Sequence, residues 1–412
     1  MAAIYVWEDA RFEQLYPLTY LRPAYLLRAG LGTLLEHIRR AVPSAPAGVM
    51  ARSLLAPLVA METDLPINPK IVTKAGVLLI NGRWFATGPL TMPEGTAGVV
   101  GDDWVWLHLT AEQAKQIDWT GAEHADFCTL IRDHLTQVPV TATVLAYPWQ
   151  LLDVQVPAIQ QEFARLGPAV PAPGPFHILN PAQVHIAADV QIAPGVVLDA
   201  TGGPIILAAG AQVKANAVIT GPVAIGTNSI VRTLADIREG TVLGPECRVG
   251  GEVIGSVFQA YANKQHHGFV GQTYVGAWAN LGAGTTTSNL KNTYGNVRVP
   301  LGGVNVDTGR TFMGSLIGEH AKVGIGTYLS TGSVVGVASH LALSRPEKFT
   351  PSFAFTTVRG VKPLDMTKAI ALTRLVMSRR HVVMPEAMAD ILTWTQIIAF
   401  TNEQTHKGHA EK

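Results

Sequence analysis

The adjacent histidines His266 and His267 follow Asn263 and Lys264 and precede the glycine-spaced run Asn280-Leu281-Gly282-Ala283-Gly284-Thr285. No other stretch of the chain gathers as many residues able to do chemistry. An imidazole, with an ordinary pKa of about 6.5, can take a proton from a nucleophile at neutral pH. Glycine lets a backbone amide approach a carbonyl or an extended ligand closely. Asn280 and Asn289 offer hydrogen bonds to hydroxyls, and Lys264, Lys291 and Arg310 offer charge to a phosphate. Each also has a plainer use. Loop cations usually face water, and asparagines often fill tight corners.

Chemistry of this kind needs a frame, and the frame is written as a period. Leu207, Val213, Ile219, Ile225, Val231, Ile237, Leu243 and Val249 recur every six residues. Ile186, Ile192 and Leu198 precede them at the same spacing, before a phase shift at Gly202–Pro204; Phe269, Val275, Leu281, Ile317, Val323, Leu329 and Val335 come after. No α-helix has a six-residue period, and a plain strand has a period of two. Repeats of this length predict a parallel β-helix, in which three hexads close one triangular coil and the aliphatics stack inside. The eight-member run alone is expected to contribute on the order of 10–20 kcal/mol before chain-entropy costs. Ser256–His267 and Asn289–Thr311 break the rhythm, and the second is expected to leave the coil as a loop.

Residues 1–166 have a different texture. Ile4–Trp7 and Val77–Ile80 read as buried strands, and Leu31–Val42 and Ala111–Ile117 as helices, which predicts an α/β domain. A Pro/Gly linker is expected over 167–177, the β-helix over 178–345, and a helical cap and tail over 346–412. In that last part Met366–Phe400 is split by Pro385, and its helices are expected to cover the open end of the solenoid.

Composition narrows the function classes. A net charge of +1 with 15% charged residues gives no electrostatic reason for nucleic acid or an anionic membrane as partner. The two cysteines, Cys128 and Cys247, make neither a disulfide framework nor a metal knuckle. No secretory signal and no apolar run of 18 residues is read, so the cytoplasm is the expected location.

The segment Asn263–Val297 resembles the acetyltransferase half of the bifunctional glucosamine-1-phosphate acetyltransferase/N-acetylglucosamine-1-phosphate uridyltransferases. Their pattern H-[LI]-x-Y-x-G-D…N-I-G-A-G-T…N-Y is met by His266, Phe269, Gly271, Asn280–Thr285 and Asn289. Phe269 stands for the tyrosine, and Leu290-Lys291 for Tyr-Asp. Val306–Thr327 is similar to archaeal sugar-phosphate nucleotidyltransferases with the same kind of C-terminal half. At the other end, Leu15–Thr19, Arg22-Pro23, Leu26–Gly30 and the helix Thr33–Ile38 resemble the start of a nucleotidyltransferase domain. A bacterial subgroup of sugar nucleotidyltransferase-like proteins looks similar nearly end to end, including Tyr147–Asp153 and Pro351–Phe355.

The resemblance implies a shortened, Rossmann-like nucleotidyltransferase α/β domain. A left-handed parallel β-helix of hexapeptide repeats and a C-terminal helical segment would come after it. It further implies a homotrimer with sites between subunits, sugar phosphates and nucleotides or nucleotide sugars as ligands, and acetyl-CoA as co-substrate. His266 becomes the catalytic base. Asn263, Lys264, His267, Asn280, Asn289, Lys291 and Arg310 bind substrate, and Gly282, Ala283, Gly284, Thr285 and Ser315 line the coenzyme A path. In the N-terminal domain Arg11, Thr19, Arg22, Asn81 and Gly82 would bind nucleotide, with Mg²⁺ if that domain is active.

The N-terminal motifs are eroded, however. Glu8–Gln14 holds no glycine, Ala24 replaces a lysine, and Asn81-Gly82-Arg83 stands where a magnesium aspartate is expected. Glu8 and Asp9 read as a solvated loop pair or a displaced metal ligand. Two alternatives share the predicted fold: a non-catalytic sugar-nucleotide-binding regulatory protein, and a γ-carbonic-anhydrase-like enzyme holding zinc through His266, His267 and His320.

Overall fold

The computed structural model describes residues 2–121, 127–172 and 174–403. The chain forms two compact units: Met1–Pro148 with Pro385–Ile391, and Trp149–Met384 with the residues from Leu392 on.

The first unit is built on a six-stranded sheet. Its order is Gly48–Met50, Ala3–Trp7, Val77–Asn81, Asp103–Leu109, Thr96–Val100, Thr136–Pro139. The first three strands are parallel, and Asp103–Leu109 is antiparallel to both its neighbours. Val77–Asn81 is buried throughout, as a strand covered on both faces must be. Trp7 lies opposite Asn81, so Glu8-Asp9 and Asn81-Gly82-Arg83 leave the sheet side by side at its carboxyl edge. The helix expected over Leu31–Val42 is shorter, Leu34–Ala41. A capping box between Thr33 and Glu36 fixes its start, and Gly32-Thr33 is used as a strand.

The second unit opens with the helix Gln155–Leu166, which Gly167 ends with φ +73°. The Pro/Gly stretch after it already joins the solenoid, because Ala169 bridges His185 in parallel. From there the chain winds into the left-handed parallel β-helix. Its three faces are sheets of eight, nine and ten strands, in which each strand pairs with its equivalent one coil away. The first face runs from His177–Leu179 to Tyr328–Leu329, the second from Val184–Ile186 to Phe349–Thr350, and the third from Gln191–Ile192 to Gly360–Pro363. The predicted aliphatics from Leu207 to Val249 all lie in one buried core.

Three expectations need correction. Val270, not Phe269, points inward, because it pairs with Val253 across a coil shortened to 17 residues. Ser256–His267 does not leave the coil: Val257–Phe258 and Asn263–Lys264 continue the second and third faces. The helix Met366–Ser378 does not close an end. It lies along the outer side of the third face, where Arg380, just after it, bonds Asn263 and the backbone of Glu246. The last coil is closed otherwise. The strand Ala354–Thr357 folds back on Gly360–Pro363 as an antiparallel hairpin, and Glu403 accepts hydrogen bonds from the backbone and hydroxyl of Ser352.

The one long excursion is the one the rhythm predicted. Arg298–Leu301 and Val304–Asp307 form an antiparallel hairpin outside the coil. At the turn between the second and third faces, Asn228, Glu246, Tyr261, Trp278, His320 and Ala338 all have φ between 53° and 62°. Their side chains therefore form a vertical stack, in which the rings of Tyr261 and Trp278 lie parallel at 4.0 Å.

Candidate functional site

The turn between the third and first faces carries His266 and His267, both exposed. The support for this turn lies beneath it. Lys264 occupies the inward column of the third face, between Val249 and Leu281, and is wholly buried. Its ammonium donates to the carbonyl of His266 and, at 2.7 Å, to that of His267. Gly268 closes the turn with φ +127°, where a Cβ would meet the Thr285 carbonyl at 2.2 Å. The amide of Gly284 donates to the His267 carbonyl at 3.0 Å, tying the histidines to the coil above. Lys264 therefore braces the turn from inside. It is not placed to meet a phosphate.

Burial pushes the Lys264 ammonium down to about 8. In the unfolded chain a lysine titrates near 10.4, so between the two values the unfolded state holds more protons and stability rises with pH. Lys264→Met is expected to keep the column filled and remove this slope. Urea melts at pH 7.5 and 9.5 check it: the variant should gain on the wild type more at pH 7.5 than at 9.5.

The residues expected along the coenzyme A path are placed differently from that expectation. The amides of Gly282, Gly284 and Thr285 already donate to Val323, His267 and Gly282 carbonyls, so the coil ladder uses them. Thr285 and Ser315 have no exposed surface, since both lie within the coil. Asn289 donates from its amide to Gln272 at 2.5 Å, Lys291 to the Asn296 carbonyl, and Arg310 to the Trp149 carbonyl and, as a salt bridge, to Asp153. Asn289, Lys291 and Arg310 thus anchor the excursion that ends in the hairpin. His320 stacks on Trp278 at a different turn from the histidine pair, and no group of three metal-ligating side chains occurs among the described residues.

Asn263 and Asn280 face outward from the third face, into a groove of about 490 Å³ whose other wall is the helix Met366–Ser378. Sequence reasoning found these two and missed the rest of the lining: Arg248, Lys322, His340, Arg379 and Arg380. The signal was present in part. Arg248, Asn263, Asn280 and Lys322 each directly precede a residue of the inward column, and strands alternate sides. Gln265, which precedes His266, also lines the groove.

In the first unit, the residues at the sheet's carboxyl edge are spent on one another. Asp9 takes two 2.7 Å hydrogen bonds from the fully buried Arg83, whose second partner is Asp103 and whose third is the Leu145 carbonyl. Asn81 donates to Asp9 and to the Trp104 carbonyl. Glu8 binds Arg52 through both oxygens at 2.9 and 3.1 Å, and Arg52 also covers the ring of Phe12. Burial pushes the Glu8 carboxyl up, against the pull of Arg52. Arg11 pairs with Asp103, Arg22 with Glu62, and Thr19 donates to the Phe12 carbonyl. A Cβ on Gly82 would meet the Trp7 carbonyl and Tyr25, each at 2.9 Å.

Glu8 and Asp9 are therefore neither solvated nor arranged as metal ligands. Their oxygens are neutralised by guanidinium groups, and the residues present do not fit Mg²⁺.

The chain matches the family model described as sugar nucleotidyl transferase over residues 4–168. It is 34% identical over 157 residues to the bifunctional protein GlmU of Sphingopyxis alaskensis, covering 37% of this chain and 32% of that protein. It is 31% identical over 157 residues to the uncharacterized acetyltransferase YaiX of Escherichia coli O6:K15:H31, covering 37% of this chain and 67% of that protein. The chain spans about a third of the length of the GlmU relatives it matches. Among solved structures it is similar to a hexapeptide transferase family protein from Anaplasma phagocytophilum, at 14% identity and a TM-score of 0.16, covering 57% of this chain and 96% of that chain. LpxA from Acinetobacter baumannii shares 13% identity at a TM-score of 0.19, covering 56% of this chain and 93% of that chain.

Proposed function

The chain belongs to the family of sugar nucleotidyl transferase-like and hexapeptide acetyltransferase proteins that includes GlmU and YaiX, and from that premise we propose that its β-helix transfers an acyl group from coenzyme A to the amino group of a sugar phosphate. His266 takes the proton from the sugar ammonium. The freed nitrogen attacks the thioester carbonyl, the C–N bond forms, and the C–S bond breaks. The departing thiolate recovers the proton from the imidazolium. The observation that carries this reading is the histidine turn itself. Two imidazoles stand at the surface, on a backbone pinned from inside by Lys264.

The product class in this reading is an N-acylated sugar phosphate for nucleotide-sugar synthesis. The working form is a homotrimer in the cytoplasm, as the family resemblance implies. No described helix is long and apolar enough to cross a membrane.

For the first unit we propose binding of a nucleotide sugar without nucleotidyl transfer. The support is the pairing of Asp9 with Arg83 and of Glu8 with Arg52, which leaves both carboxylates occupied.

The test is a panel of amino-sugar phosphates with acetyl-CoA, read as coenzyme A release, run beside sugar-1-phosphates with nucleoside triphosphates, read as pyrophosphate. Release with at least one acceptor and no pyrophosphate is expected. No release with any acceptor would remove the acyl-transfer reading, and pyrophosphate would overturn the reading of the first unit.

A further inference from the structure

The groove between the third face and the helix Met366–Ser378 has a one-sided charge. Arg248, Lys322, His340, Arg379 and Arg380 line it, with Asn263, Asn280 and Gln265 between them and Leu372 and Val376 on the helix wall; no carboxylate belongs to the lining. The nearest acid, Glu246, is 3.5 Å from Arg380 and already engaged by it. Lys322 and His340 are register partners on adjacent coils, so an ammonium and an imidazole are stacked one above the other. The Lys322 ammonium donates to the Trp278 carbonyl at 2.7 Å, which aims it along the groove floor. Among the described residues, neither Arg248 nor Arg379 has a side-chain hydrogen bond or ion pair.

Placing this many cations together without a counter-charge works against folding, because like charges repel and burial strips their water. The strain is visible in two groups. Burial pushes Lys322 down to about 8, and burial together with Lys322 holds His340 below the ordinary imidazole range. Surplus positive charge in a concave, half-enclosed site is the arrangement that a compact anion relieves. The rings of Tyr261 and Trp278 cover each other's faces, so they offer the groove their edges and give no platform for stacking a base.

We infer that this groove is a binding site for a compact polyanion carrying two or more phosphate-like charges, clamped between the third face of the β-helix and the helix Met366–Ser378. Arg248 and Lys322 hold the anion from the solenoid, and Arg379 and Arg380 from the helix segment. Binding therefore ties the helix to the coil. The site is separate from the histidine turn and does not depend on acyl transfer.

The probes are inorganic pyrophosphate, inorganic phosphate, AMP and ADP, titrated by calorimetry into the full chain and into Lys322→Met and Arg248→Gln. Circular dichroism confirms that each variant is folded. Lys322→Met keeps the volume of the side chain, and Arg248→Gln changes only a half-buried surface residue, so at least one should fold. Saturable binding of pyrophosphate or ADP, tighter than that of phosphate or AMP, is expected, with affinity at least tenfold weaker in each folded variant. Equal affinity for pyrophosphate and ADP identifies the diphosphate as the recognised group; tighter ADP binding adds a nucleoside contact. Absence of saturable binding by every probe, or unchanged affinity in either folded variant, overturns the inference.

Discussion

Alanine at His266 is expected to lower acyl transfer by about 10²–10⁴-fold, the range that a positioned general base contributes. The loss should fall on kcat, with KM for acetyl-CoA close to that of the wild type, because an imidazole that moves the proton acts in the transition state. The fold itself should survive. His266 is exposed, and the turn is held through its carbonyl by Lys264, a bond that alanine retains. His267→Ala separates the neighbours. The His267 ring is 3.9 Å from where a Cβ on Gly284 would stand, so it packs against the coil, and its loss should cost less than about tenfold. Were His267→Ala the more damaging change, the role of base would pass to His267. Steady-state kinetics on both variants, measured as coenzyme A release, decides between them.

The second large effect concerns stability of the first unit. Arg83→Met is expected to cost about 3–5 kcal/mol, because it leaves Asp9 and Asp103 buried or half-buried without their cation. Arg83 has no exposed surface, and it also satisfies the Leu145 carbonyl, which would be orphaned as well. Its neighbours offer little relief: Arg11 reaches Asp103 at 3.0 Å, but Asp9 would retain only the amide of Asn81. Chemical denaturation of the wild type and the variant measures the difference. Adding Asp9→Asn to Arg83→Met should recover part of the loss, since it removes one of the two stranded charges. A loss under about 1 kcal/mol for Arg83→Met would mean that water reaches the cluster and that the pair is a surface one.

Much of the β-helix was legible because its signal is local and repeated. Each aliphatic of the Leu207–Val249 run reports the same coil geometry, and the excursion at Asn289–Thr311 announced itself by breaking the period. The misassignments arose where coils change length. A 17-residue coil moves the inward position from Phe269 to Val270, and the same shortening carries Lys264 into a column otherwise filled by aliphatics. A lysine beside two histidines reads as a ligand-binding cation in sequence, and only the register shows that it faces inward.

The cluster at Asp9, Asn81, Arg83 and Asp103 was hidden for a different reason. Its members are 20 to 74 residues apart, and the charge type alone does not distinguish a metal site from an internal clamp. The placement of Met366–Ser378 was likewise out of reach. Nothing periodic in the helix says whether its apolar residues meet an end or a side, whereas Arg380 bonding Asn263 settles it.

The hairpin that closes the third face has a consequence beyond the coil it completes. A stack of parallel coils has no intrinsic length, and its last rung offers the same unpaired amides and carbonyls that received the rung before it. Reversing Gly360–Pro363 against Ala354–Thr357 breaks that translational symmetry. A proline and a lysine on the exposed return strand make it a poor template for another molecule. The polymer is thus finished by its own sequence: protomers of this shape are directed toward association through their flanks, and growth along the axis into filaments is blocked at this edge.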